Sequence, residues 1–284
     1  MVGPDALSVD PGWSDYAAWQ AAAPDVLLAD VEPAAGQAVA GRCDVCGAAC
    51  GFLPPMQPAD TREGMHCAAC GCMARQRAVA RVLASAGLDP GARAYLTEQA
   101  SPLYLALRAR FPALIGSEYV HAPLRRLRLM LWLWRRGVYQ QVHRGDATRL
   151  VCADATLDAA LSLDVLEHVP DAEAAFREFA RVLRPGGHLI ATVPFYQDAA
   201  HSERIASLGQ DGEVVHHGPA EFHGDPLGGG VLCFHHFGWD LPALLIRAGF
   251  AHARMPYVRD AACGLPRGIW VLAAVTVGGG LLGI

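Results

Sequence analysis

The 284-residue chain contains no lysine and no asparagine, and all 23 of its basic residues are arginine. Without lysine there is no amine for a Schiff base and no P-loop lysine for a nucleotide phosphate, so pyridoxal-phosphate enzymes and P-loop hydrolases are excluded. A basic surplus is missing too. With 28 acids against 23 arginines the formal charge is −5, which disfavours a general nucleic-acid surface. The opening MVGPDALSVD lacks the basic start and apolar run of a signal peptide. The uncharged stretch from Gly268 to Ile284 is short and glycine-rich, suiting a last strand, IWVLAAVT, better than a membrane span. A cytoplasmic chain is the expectation. Its 52% hydrophobic residues suffice for the core of one α/β domain with a small appendage.

The clearest local pattern runs from Leu161 to Phe195, LSLDVLEHVPDAEAAFREFARVLRPGGHLIATVPF. Asp171 can cap a helix whose Ala172, Ala175, Phe176, Phe179 and Leu183 share one face, with Glu173 and Arg177 paired outside. Arg184-Pro185-Gly186-Gly187 ends it, and HLIATVPF follows as an apolar, β-branched strand. Strand, helix and strand in this order imply a parallel α/β sheet.

The ordered string Asp164-Val-Leu-Glu-His-Val-Pro170, the helix, Arg181-Val-Leu-Arg-Pro-Gly-Gly187 and Val193-Pro-Phe195 resembles the fourth and fifth strand region of class I S-adenosylmethionine-dependent methyltransferases. The resemblance covers roughly residues 92–276. It implies a Rossmann-like, seven-stranded, mostly parallel sheet with an antiparallel C-terminal hairpin, and S-adenosylmethionine as cofactor. Fold alone does not settle function.

Within that frame a first strand is expected over Ala92–Thr97, followed by the cofactor turn Glu98-Gln99-Ala100-Ser101-Pro102, with Ser101 as N-cap and Pro102 in the first helical turn. The family's glycines are missing here, although Glu98 keeps the acid. A second strand, Ala113–Tyr119, carries Glu118 twenty residues beyond Glu98. An acid at the end of this strand can accept from both ribose hydroxyls, as in dinucleotide-binding folds. Glu118-Tyr119 resembles the family's second motif and Gly145-Asp146-Ala147 its third, which implies that Asp146 accepts from the adenine amino group. Asp164 and Val165, with Glu167 and His168, follow the fourth strand and so lie at the sheet's reactive edge.

Cys43-Asp-Val-Cys46 and Cys67-Ala-Ala-Cys70 are two CxxC knuckles separated by twenty residues, each followed by a glycine, Gly47 or Gly71. This spacing fits tetrahedral thiolate ligation of Zn²⁺; four ligands close the sphere, so the metal is assigned to folding. Cys50 and Cys72 are spare neighbours. A helix from Arg75 joins the ribbon to the larger domain, resembling an extension that some methyltransferases carry; it either docks substrate or covers one sheet face. The chain is thus divided into an N-terminal helical extension (1–40), ribbon and linker helix (41–90), and methyltransferase domain (91–284) with lid-like regions near 121–143 and 196–240.

Trp13, Tyr16 and Trp19 stand at helical spacing and read as an anchor for an N-terminal helix. The stretch Leu124–Val142 places Arg125, Arg128, Arg135 and Arg136 on one stripe among leucines and tryptophans, which reads as a domain helix with a solvated edge. Six of the twelve histidines fall between Tyr196 and Asp240, a region containing His223-Gly-Asp225-Pro226. A histidine metal site there is weaker than a role for His223, steered by Asp225, as base or substrate anchor, with His168 as a second candidate. The reading is in-line methyl transfer to a small molecule, a sugar or secondary metabolite. RNA methylation and a non-catalytic or differently reacting relative are the alternatives. Oligomeric state is not legible.

Overall fold

The computed structural model describes residues 12–33, 38–54, 61–224 and 230–278. Six strands form the central sheet: β1 (Ala94–Leu96), β2 (Ile115–Gly116), β3 (Leu157–Leu163), β4 (Leu183–Thr192), β5 (Phe250–Arg254) and β6 (Leu272–Thr276). Their order is β5-β6-β4-β3-β1-β2. β1 to β4 are parallel, and β6 runs antiparallel to both β4 and β5, closing the sheet as expected.

The helices are α1 (Tyr16–Leu28), α2 (Ala74–Ser85), α3 (Pro102–Arg110), α4 (Pro123–Trp134), α5 (Ala172–Val182) and α6 (Leu241–Arg247). Ser101 accepts from Tyr104 N at 3.1 Å to cap α3, and Asp171 accepts from Ala174 N at 2.9 Å to cap α5. All seven residues of β3 are buried, Asp158 and Ser162 included, so neither face meets solvent, the mark of a central parallel strand. One core layer joins α2, α3 and the cysteine ribbon to the sheet; the other joins α1, α5 and α6.

The sheet has six strands among the described residues, not seven. Outside β2 the next strand shrinks to one parallel bridge, Glu118 with Arg144. The cause lies in Gln99, whose buried amide donates to Gln141 O (2.9 Å) and accepts from His143 N (2.8 Å). A side chain thus takes backbone groups that a strand partner would otherwise use. Arg184–Gly187, expected as a turn, lies inside β4 as a large bulge: Leu183 pairs with Leu157, but His188 pairs with Ala159. Ile269 and Trp270, expected in the last strand, instead belong to a separate hairpin, Tyr257–Asp260 with Leu265–Trp270.

The ribbon is a three-stranded antiparallel sheet, Val39–Arg42, Ala49–Leu53 and His66–Cys67. Two buried arginines of α2 fasten it. Arg77 donates to the carbonyls of Met65, Cys72 and Gly264 and stacks over Phe52 at 4.4 Å. Arg81 lies 3.2 Å from Asp44 and 2.7 Å from Asp260. From the opposite side Trp19 packs against Trp270 (4.7 Å), Trp13 (5.1 Å) and Trp239 (5.8 Å).

Among the described residues of 196–240 are three small antiparallel ribbons: Glu203–Arg204 with His235–His236, Ala206–Leu208 with Val214–His216, and Phe222–His223 with Val231–Leu232. They stand on a parallel bridge between Phe195 and Phe237, at the sheet's carboxyl edge.

Candidate functional site

The carboxyl ends of β1, β2 and β3 converge, and an acid follows each. After β1, Glu98 accepts from Gln76 Nε2 at 2.9 Å, and burial pushes its carboxyl up despite nearby Arg75. After β2, Glu118 accepts from Ala100 N at 2.6 Å. Burial raises its pKa to about 7, with Glu98 adding to the rise and the backbone amides opposing it. The turn after β1 is therefore held by Glu118 itself, which offers a reason why it folds without glycine.

Asp146 lies close to this acid because Gly145 N donates to Glu118 O at 3.0 Å. A Cβ at Gly145 would collide with Ser117 Oγ, so glycine is required for the approach. One Asp146 oxygen, Oδ1, accepts from both Thr148 N (2.8 Å) and Thr148 Oγ1 (2.7 Å). The carboxylate is exposed, Ala147 is buried, and Tyr119, the residue after Glu118, is 71% exposed. Gln99 departs from the expected cofactor edge: its amide and its backbone N–H are all engaged within the fold.

After β3, Asp164 adopts a left-handed φ of +50° and binds two guanidiniums. Arg62 approaches both of its oxygens, and Arg75 Nε lies 3.0 Å from Oδ2. Burial would raise this carboxyl, yet the two cations outweigh it and bring the pKa down to about 2. Arg62 comes from the ribbon, so the appendage reaches the sheet's carboxyl edge. The sequence carried no sign of this contact, which joins residues 102 positions apart. Val165 follows, half-buried, at the start of the turn Leu166–His168.

That turn carries Glu167, which is fully buried with both carboxylate oxygens lacking a hydrogen-bond partner among the described residues. His168 Nε2 and His223 Nδ1 each stand 3.7 Å from Glu167 Oε1. Burial raises the Glu167 pKa, and His223 moves up to about 9, held by Glu167 and then by Glu221. Glu221 pairs with His223 Nε2 and His236 Nε2, both at 2.8 Å. Asp225, expected to steer His223, lies outside the described residues; the carboxylates on His223 are Glu221 and Glu167. Of the six clustered histidines, His223, His235 and His236 turn inward, whereas His201, His216 and His217 are exposed.

In the ribbon, Cys43 Sγ and Cys70 Sγ are 3.8 Å apart, as are Cys46 Sγ and Cys67 Sγ. Both knuckles close as read, with Gly47 N donating to Cys43 O (2.7 Å) and Gly71 N to Cys67 O (2.8 Å). Both glycines have positive φ, +72° and +77°. Spare Cys50 lies 3.3 Å from Cys67, and Cys72 is buried.

A family profile described as a methyltransferase domain matches residues 103–191. Demethylmenaquinone methyltransferases of Mycolicibacterium paratuberculosis and Mycobacterium marinum are each 54% identical to the chain over 46 residues. That stretch is 16% of this chain and 20% of each relative, so the chain spans about a fifth of the curated relatives it matches. The crystal structure of the [4+2]-cyclase SpnF superposes with a TM-score of 0.50 at 18% identity, covering 93% of this chain and 96% of that one. The 1,6-didemethyltoxoflavin N1-methyltransferase of Burkholderia thailandensis, solved with its substrate and S-adenosylhomocysteine, gives 0.44 at 18% identity over 72% and 79% of the two chains. The fold is the Rossmann-like methyltransferase fold, with a mixed sheet of six strands.

Proposed function

We propose that the chain is an S-adenosylmethionine-dependent methyltransferase acting on a small molecule, a sugar or secondary metabolite. The observation that carries this reading is the adjacency of Glu118 and Asp146 through the Gly145–Glu118 hydrogen bond, at the carboxyl ends of parallel strands. The cofactor fits these residues. Glu118 has a carboxylate for ribose hydroxyls, and Asp146 keeps Oδ2 for the adenine amino group. The Thr97 and Thr192 hydroxyls, at the ends of β1 and β4, are buried without a hydrogen-bond partner among the described residues.

S-adenosylmethionine supplies an electrophilic methyl on a sulfonium. The protein's work is then positional: to orient the acceptor, exclude water, and receive a proton where the acceptor carries one. His168 and His223, half-buried beside that edge, are the residues in reach of such a proton. The −5 charge favours a small acceptor over RNA. A second reading, chemistry other than methylation, draws on the cyclase that shares the fold.

The four cysteines suit structural Zn²⁺. A tetrahedron of thiolates with bonds of about 2.3 Å has edges of about 3.8 Å, the separation of the two measured pairs. Localisation in the cytoplasm agrees with unpaired thiols; no helix among the described residues is long and apolar enough to cross a membrane.

Calorimetric titration with S-adenosylmethionine and S-adenosylhomocysteine tests the reading. Binding should weaken at least about tenfold, or about 1.4 kcal/mol, in Glu118→Ala and in Asp146→Ala. Absence of binding to the intact chain would remove the methyltransferase reading.

A further inference from the structure

We infer that Glu167, His168 and His223 form an open site for a divalent transition-metal ion, separate from the ribbon cysteines. The three come from two elements, the turn after β3 and the ribbon Phe222–His223, and their donor atoms all lie within 4.8 Å of one another.

The hydrogen bonds around the histidines fix which nitrogen each presents. His168 Nδ1 is 2.9 Å from Leu232 O; a carbonyl only accepts, so Nδ1 carries the proton and Nε2 of the neutral ring offers its lone pair. His223 Nε2 is 2.8 Å from Glu221 Oε1, so Nε2 donates and Nδ1 is the nitrogen turned toward Glu167. These two nitrogens face the same oxygen, Glu167 Oε1, at 3.7 Å. Three candidate ligand atoms converge on one point, where a bound cation would take the place of the His223–Glu167 pairing. The carboxyl is fully buried and neither oxygen has a hydrogen bond within normal distance among the described residues, so a cation held there would satisfy it.

The support around the site has the form that metal-binding histidines use, one ring held by a carboxylate and the other by a carbonyl. Donors bound at about 2.1 Å stand about 3.0–3.4 Å apart, so the pairs at 3.7 Å need contract by only a few tenths of an ångström. Two imidazoles and one carboxylate select zinc, iron or manganese over calcium and magnesium, and leave coordination positions open. Glu221 also binds His236, which tethers the site to a second hairpin, His235–His236 with Glu203–Arg204. If the methyl-transfer reading holds, those open positions face the reactive edge and would take an acceptor with paired oxygen donors, lowering the pKa of its hydroxyl.

The test is a titration of the full chain with Mn²⁺ in the absence of S-adenosylmethionine, after chelation and return of one equivalent of zinc, followed by the electron paramagnetic resonance of free Mn²⁺. Thiolates disfavour Mn²⁺, so the ribbon does not register. The wild type should bind one Mn²⁺ with micromolar affinity. Glu167→Gln and His223→Ala should each lose at least about tenfold, and Glu221→Gln, acting through His223, a smaller factor. Near-ultraviolet circular dichroism reports whether each variant is folded. No saturable site in the wild type overturns the proposal whatever the variants do, and so does unchanged affinity in a folded Glu167→Gln chain. Neither result bears on cofactor binding, which is measured separately.

Discussion

Asp164 and Glu167 stand three residues apart after the same strand, and the chain covers them with opposite chemistry. Asp164 receives two guanidiniums from Arg62 and Arg75. Glu167 receives two imidazoles from His168 and His223. Guanidinium is charged at every accessible pH, so the first contact is permanent; imidazole is a conditional partner, able to bind a proton or a metal. One acid ties the appendage to the domain, and its neighbour is left available for chemistry.

Breaking the permanent contact should have the largest effect. Asp164→Ala strands two partly buried guanidiniums and should cost about 3 kcal/mol in denaturant unfolding, at the low end for a buried pair because Arg62 keeps some solvent. The same change at the conditional contact should go the other way. In metal-free protein, Glu167→Gln keeps the shape of a buried group whose partners are only imidazoles at 3.7 Å and should leave stability within about 1 kcal/mol of wild type, or raise it. A loss as large as that of Asp164→Ala would erase the distinction.

The pH responses sharpen it further. The Asp164 pKa falls from 3.8 to about 2 on folding, so its stabilisation is present above pH 3.8 and is lost as pH drops toward 2. Glu118 moves the other way, from 4.5 to about 7, so its burial opposes folding increasingly as pH rises from 4.5 through 7. Ribose hydroxyls would favour its carboxylate, so cofactor binding should tighten between pH 6 and 8, and Glu118→Gln should flatten that profile by calorimetry. The smallest effect belongs to the solvated outer pair Glu173–Arg177 at 3.6 Å: Arg177→Ala should shift stability by no more than about 0.5 kcal/mol.

Much of the fold was legible because it rests on local pattern. The face of Ala172, Ala175, Phe176 and Phe179 is buried as its spacing implied, and Ser101 and Asp171 act as caps. The knuckle glycines turn where the Cys-X-X-Cys-Gly order put them. What was illegible depends on side chains acting at a distance. Nothing in the sequence around Gln99 signals that its amide replaces a strand partner, and no local pattern joins Arg62 to Asp164 across the sheet edge. The histidine-rich segment was visible as composition, yet which three of its histidines turn inward is decided by hairpin pairing. A signal did exist at Glu167: an acid between Leu166 and His168 in an apolar strand exit is costly to bury without purpose.

The guanidinium of Arg77 bonds Met65 and Cys72 on one side and Gly264 on the other, which makes the cysteine ribbon and the hairpin 257–270 parts of one cooperative unit. The ribbon cannot open while those carbonyls are held, nor can it swing as a tethered reader of distant substrates. Amide protons of the hairpin should exchange only when the ribbon does, so losing the thiolate cluster's order would be felt at a strand nearly two hundred residues further along the chain, about the 187 positions between Arg77 and Gly264.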